Sequence, residues 1–171
     1  MNHLYAPWRG KYITKKAIKN TFDTNIEKPC VFCAKLSENQ DEQNFILKRF
    51  KHHAVILNLY PYNAGHLMVI PLEHKKRLLE LSSEARQEFV ELTSQSIAIL
   101  EEDLGADGIN AGLNLGAAAG AGIPSHLHMH VIPRWAGDTN FMPIIAETKP
   151  ISLDLNLVYQ DLKPLFDKIK F

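Results

Sequence analysis

Hydrophobic positions recur with period two in several short stretches, the pattern of strands whose side chains point alternately to opposite faces. Residues 45–50, 54–60 and 66–70 read as strands, with Pro61, Asn63 and Gly65 forming a turn between the last two. Residues 109–115 alternate again: Ile109, Ala111, Leu113 and Leu115 share one face, and Asn110, Gly112, Asn114 and Gly116 share the other. Between these stretches the period lengthens. Ala85, Phe89, Leu92, Ser96, Leu100 and Leu104 form one stripe of a helix over 82–104, with Glu88, Glu91, Gln95 and Glu102 on its far side. Ser82 or Ser83 caps it, Glu84 suits its positive end and Gly105 stops it, so this helix reads as scaffold. A helix-like tail follows at 152–171, with Leu155, Tyr159, Leu162, Phe166 and Ile169 on one stripe and Pro164 as a kink. Residues 1–28 form a polar arm with Trp8, Tyr12 and Ile13 as anchors.

One alternating stretch carries chemistry. In His126-Leu127-His128-Met129-His130-Val131-Ile132-Pro133-Arg134, an extended backbone puts three imidazoles on one face and Leu127, Met129 and Val131 on the other. Imidazole serves as nucleophile, acid, base or metal ligand near neutral pH. Pro133 ends the ladder by removing a backbone donor. The loop over 116–125 holds little but glycine and alanine. It reads either as a linker or as a backbone cradle for an anion.

Composition narrows the class. A chain of 171 residues with 46% hydrophobic content supports one domain with a real core. Apolar runs fall well short of a membrane span and the first residues lack a secretion signal, so a cytoplasmic location is expected. Net charge is zero, which argues against nucleic acid as a partner. Lys15-Lys16 and Lys75-Lys76-Arg77 read as solvated faces, and His52 and His53 as surface loop residues, with His53 a fallback metal ligand. The two cysteines, Cys30 and Cys33, form a single C-x-x-C: a redox pair, a metal knuckle or two core thiols.

The three-histidine run resembles the His-x-His-x-His-x-x motif of the histidine-triad superfamily of nucleotide hydrolases and transferases. The resemblance extends upstream to Asn58-Leu59-Tyr60-Pro61-Tyr62-Asn63-Ala64-Gly65-His66 and to Asn114-Leu115-Gly116. Downstream, Pro133-Arg134-Trp135-Ala136-Gly137-Asp138-Thr139-Asn140-Phe141 is similar to the branch of diadenosine tetraphosphate phosphorylases and fragile-histidine-triad-like hydrolases. The resemblance implies an α+β fold: a mostly antiparallel five-stranded sheet, the main helix packed on it and a C-terminal helix. The arm (1–28) precedes a histidine-triad domain (29–150), and the helical tail (151–171) follows.

The resemblance also implies roles. His128 is the nucleophile, His130 assists the leaving group and His66 supports the nucleophile from the adjacent strand. Asn58, Asn114 and Gly116 surround ribose and phosphate. Gly122 and Ser125 belong to the loop over the phosphates, and Trp135 and Asn140 shape the base or distal-phosphate pocket. Cys30, Cys33, His74 and His126 match a split structural Zn2+ site. The implied activity is nucleotidyl transfer from a dinucleoside polyphosphate, with phosphate slightly favoured over water as acceptor, in a homodimer. Alternatives are a nucleoside 5'-phosphoramidate hydrolase and a non-catalytic nucleotide-binding regulator.

Overall fold

A computed structural model describes residues 30–138 and 154–170. Its elements are α1 (Val31–Ser37), β1 (Ile46–Arg49), β2 (His53–Leu57), β3 (Leu67–Pro71), α2 (Ser83–Glu102), β4 (Gly108–Leu113), β5 (Met129–Arg134) and α3 (Leu155–Lys168). The strands form one antiparallel sheet in the order β1-β2-β3-β5-β4, which bears out the α+β expectation. Placed between β3 and β4, β5 carries the end of the histidine run at the heart of the sheet. No helix among the described residues is long and apolar enough to cross a membrane.

Strand parity divides the core into two layers. Val55, Leu57, Leu67, Val69, Leu127 and Val131 face α2 and α3, where Phe89, Leu92, Leu100, Leu162 and Phe166 complete one cluster. Ile46, Ala54, Ile56, Met68 and Ile70 form the opposite layer with Phe32 of α1. Both faces of β2 and β3 are therefore buried, which their near-continuous apolar sequences permit. Ser82 caps α2 by accepting from the Ala85 N–H at 3.1 Å, as its sequence indicates. Pro164 lies inside α3, which nonetheless runs unbroken from Leu155 to Lys168.

Three expectations are corrected. Pro133 does not end β5; the strand continues to Arg134. Pro133 lies beyond the last β3 partner, Val131, and its carbonyl accepts from Asn63 Nδ2 at 2.9 Å. His53 is not a surface residue: it lies on β2 with the parity of Val55 and is fully buried against α2. Its Nδ1 is 2.9 Å from Glu88 Oε1, which also accepts from the His52 N–H at 2.9 Å. Glu88 thus turns back to the sheet rather than outward, because a buried imidazole needs a polar partner. The short helix α1, beginning at the C-x-x-C, had no periodic signal long enough to announce it.

Candidate functional site

The turn before β3 sets the first histidine. Gly65 has φ +73°, a backbone conformation that favours glycine, and a Cβ there would also have to push aside the Leu104 Cδ2 methyl, 2.6 Å away. Asn63 pins the same turn from below, donating to the Pro133 carbonyl and, at 2.6 Å, to Asp138 Oδ2. Asp138 also binds Arg134, whose guanidinium holds its carboxyl far below the usual carboxylate range.

Hydrogen-bond partners define the imidazole tautomers. The Tyr62 N–H donates to His66 Nδ1 at 3.1 Å. The Asn58 amide lies 3.3 Å from the same nitrogen, its own oxygen accepting from the Tyr60 N–H. His66 Nδ1 is therefore an acceptor, and its Nε2–H donates to His130 Nδ1 at 2.9 Å. This leaves the His130 proton on Nε2. His128 has the opposite tautomer: its Nδ1–H donates to the His126 carbonyl at 2.8 Å, so Nε2 carries a lone pair. The His128 and His130 rings are 4.9 Å apart. His66 hydrogen-bonds His130 rather than His128, the residue two positions earlier that the resemblance had it support.

Burial keeps these rings neutral. It pushes His130 down to about 4, with the neighbouring His128 adding to the effect, and His66 down to about 3, with His130 and His128 adding. His128 and His126 are lowered by the same desolvation. Phe32 contributes by packing edge-on against both His126 and His128, with centroids 5.4 and 5.3 Å away.

The first triad histidine has a different neighbourhood. His126 and His128 precede the regular part of β5, and the Leu127 N–H between them bonds to the Lys75 carbonyl at 2.6 Å. His126 Nε2–H donates to the Pro71 carbonyl at 2.9 Å, which turns its Nδ1 lone pair towards Cys30 Sγ (3.3 Å) and Cys33 Sγ (3.5 Å). Cys33 Sγ is also 3.1 Å from His74 Nδ1. All four donor atoms lie within 4.8 Å of one another. A tetrahedral Zn2+ with ordinary bond lengths separates sulfur and nitrogen by about 3.5 Å, so the donor set and its spacing fit that ion. The carbonyl on the far nitrogen of His126 is the support that metal-binding histidines usually have.

A cavity of about 270 Å³ opens beside His130, over β4 and β5. Asn114 lines it, as do Ala119 and Gly120 of the glycine–alanine loop; Gly122 and Ser125 are exposed and do not. Gly116 has φ +92° and begins a short 3-10 turn, Ala117–Ala119, that uses the N–H groups of residues 119, 120 and 121 internally. That loop is therefore shaped rather than an open linker. Trp135 does not line the cavity; its indole N–H donates to the Gly105 carbonyl at 2.8 Å, tying the end of β5 to the turn after α2. Asn140 lies outside the described residues. Asn110, Gly112 and Tyr62 also line the cavity. The alternation of 109–115 had placed Asn110 and Gly112 on this face, but nothing in their residue types marked them as functional.

The HIT domain model matches residues 39–137. The AP-4-A phosphorylase of Mycobacterium tuberculosis is 35% identical over 88% of this chain and 77% of its own length. The asymmetrical bis(5'-nucleosyl)-tetraphosphatase of Schizosaccharomyces pombe is 31% identical over 54% of this chain and 50% of its own. Among solved structures, a Zn-bound histidine triad family protein from Mycobacterium smegmatis superposes with a TM-score of 0.64 at 28% identity, covering 82% of this chain and 94% of that one.

Proposed function

The chain belongs to the HIT family, and from that premise we propose that it transfers a nucleotidyl group from a dinucleoside polyphosphate such as diadenosine tetraphosphate. The observation that carries the reading is the tautomer of His128. Its Nδ1 proton is committed to the His126 carbonyl, and desolvation disfavours its cation, so the ring offers a neutral Nε2 lone pair. That nitrogen attacks the α-phosphorus. A P–N bond forms as the bridging P–O bond breaks, and the electron pair leaves with the departing oxygen. His130 presents Nε2–H to that oxygen, its tautomer held by His66. Water or phosphate then displaces the histidine. The names of the phosphorylase and tetraphosphatase relatives support both acceptors, and we favour phosphate because the phosphorylase relative matches over more of this chain.

Cys30, Cys33, His74 and His126 would hold a structural Zn2+, which clamps α1 to the start of the triad; the Zn-bound solved relative supports this. Burial raises the Cys33 thiol, and a bound zinc ion deprotonates its thiol ligands, so loading releases protons. We extend the reading to a homodimer, in keeping with β4 lying at the sheet edge.

Product analysis with diadenosine tetraphosphate, with and without phosphate, tests the reading. ADP plus ATP establishes phosphorolysis, and AMP plus ATP establishes asymmetric hydrolysis. Absence of turnover with this compound and with an adenosine phosphoramidate overturns the enzyme reading in favour of a nucleotide-binding module.

A further inference from the structure

The turn that delivers His66 lies beyond the last rung of its ladder. The β3–β5 pairing runs from Val69 opposite Met129 to Leu67 opposite Val131. Past that point two side chains hold the turn against β5. One is His66 itself, whose Nε2–H donates to His130. The other is Asn63, which is buried and spends both Nδ2 protons on the far end of the run, on the Pro133 carbonyl at 2.9 Å and on Asp138 Oδ2 at 2.6 Å. Asp138 anchors that clamp. The Arg134 guanidinium gives it two bonds, at 2.5 and 2.8 Å, so Asn63 donates to an ionised and oriented acceptor.

The clamp reaches the chemistry through the backbone of the turn. The Asn63 carbonyl accepts from the His66 N–H at 3.3 Å. The Tyr62 N–H, one residue before Asn63, donates to His66 Nδ1 at 3.1 Å, and the Asn58 amide adds a longer contact of 3.3 Å to the same nitrogen. A neutral imidazole has one proton to place, and a donor facing Nδ1 sends it to Nε2. His66 passes that proton towards His130 Nδ1, which leaves His130 its own proton on Nε2. One amide thus stands at the head of a sequence of hydrogen bonds that ends on a ring of the triad.

We propose that Asn63, anchored by Asp138, is a positioning residue for proton donation by His130. It holds the Tyr62 peptide against His66 and so keeps the His130 proton on Nε2, the nitrogen that serves the departing oxygen. Asn63 acts through His66 and His130 rather than on the substrate. The proposal rests on the nucleotidyl-transfer reading above and deepens it.

Two measurements on the full chain test it, the first without substrate. Nitrogen-15 spectra of the imidazoles report which ring nitrogen carries each proton. Asn63→Ala should mix the two tautomers at His66 and His130 while His128 stays protonated on Nδ1. The second measurement varies the leaving group: the phenyl, p-nitrophenyl and 2,4-dinitrophenyl esters of AMP transfer the same group and expel progressively weaker bases. The more basic the departing oxygen, the more it depends on a proton donor. Asn63→Ala should therefore lower kcat/KM about 10–100-fold for the phenyl ester, the range for a group that orients another, and least for the dinitrophenyl ester. Asp138→Asn, which keeps the shape of the anchor without its charge, should move both readouts the same way by less, and it carries the test should Asn63→Ala fail to fold. Losses equal across the three esters, or ring signals unmoved in the folded variants, overturn the positioning role while leaving the nucleotidyl-transfer reading standing. A wild-type protein that cleaves neither these esters nor diadenosine tetraphosphate overturns that reading and the proton-donation role with it.

Discussion

His126 and His130 stand four residues apart on the same side of one backbone run, yet their surroundings prepare them for different chemistry. At the His126 end, a carbonyl takes the Nε2 proton and the Nδ1 lone pair meets two thiols. At the His130 end, another imidazole takes up Nδ1, which leaves the proton on Nε2, and the residue lines an open cavity. His128, between them, gives its Nδ1 proton to the His126 carbonyl and keeps Nε2 as a lone pair. Residue type is common to all three; the nitrogen each commits to its neighbour separates the proposed ligand, nucleophile and proton donor. The two ends also differ in what they fasten. One joins α1 to the loop before β5, and the other joins β5 to the turn before β3.

The sharpest way to separate the ends is to remove the group between them. His128→Ala should lower turnover at least about a hundredfold while nucleotide still binds and zinc content is unchanged, as expected when a covalent step is lost. Single-turnover kinetics with metal analysis checks this, and near wild-type turnover refutes the mechanism. Next in size, His66→Gln should cost about 10–100-fold in kcat, the range for a supporting group that fixes a ring. It should leave metal content intact; if zinc were lost as well, the two ends would not be separable. Cys30→Ser should act the other way round, lowering metal content and reducing Tm by about 5–10 °C, with a smaller effect on the chemical step. Differential scanning calorimetry with and without a chelator reads the stability part of that prediction.

The smallest effect is in acid. His66 and His130 are lowered to about 3 and about 4, and His53 is lowered by burial against Phe89 and α2. Unfolded histidines titrate near 6.5, so below that pH the unfolded chain binds more protons than the native one. Stability should be full above about pH 6.5 and decline steadily towards pH 4. Denaturant midpoints between pH 7.5 and 4.5 measure this; a flat profile would show that the rings are charged in the native state.

How much of this could be read in advance varied with the range of the signal. The strands, the long helix and the histidine face were legible because period and parity are local properties. Ser82 and Gly65 were legible for the same reason. His53 had the parity of Val55 and Leu57, so its burial was available from that pattern but was masked by the polar flank Lys51-His52. Its partner, Glu88, lies 35 residues away and was assigned outward by helical phase alone. The thiol–imidazole cluster draws on residues 30, 33, 74 and 126, and only resemblance joined them beforehand. The hold of Arg134 on the Asn110 amide oxygen was beyond reach, because it joins residues 24 apart on neighbouring strands.

The crowding at Gly65 bears on how this sequence can drift. Two independent features disfavour a side chain there: a backbone angle of +73°, and the Leu104 methyl, 2.6 Å from where a Cβ would sit, which would have to shift. Shortening Leu104 lifts only the second, so no single compensating change elsewhere opens the position. The turn that delivers His66 therefore rests on Leu100 and Leu104 at the end of the scaffold helix, so changes in the size of those side chains are felt at the turn.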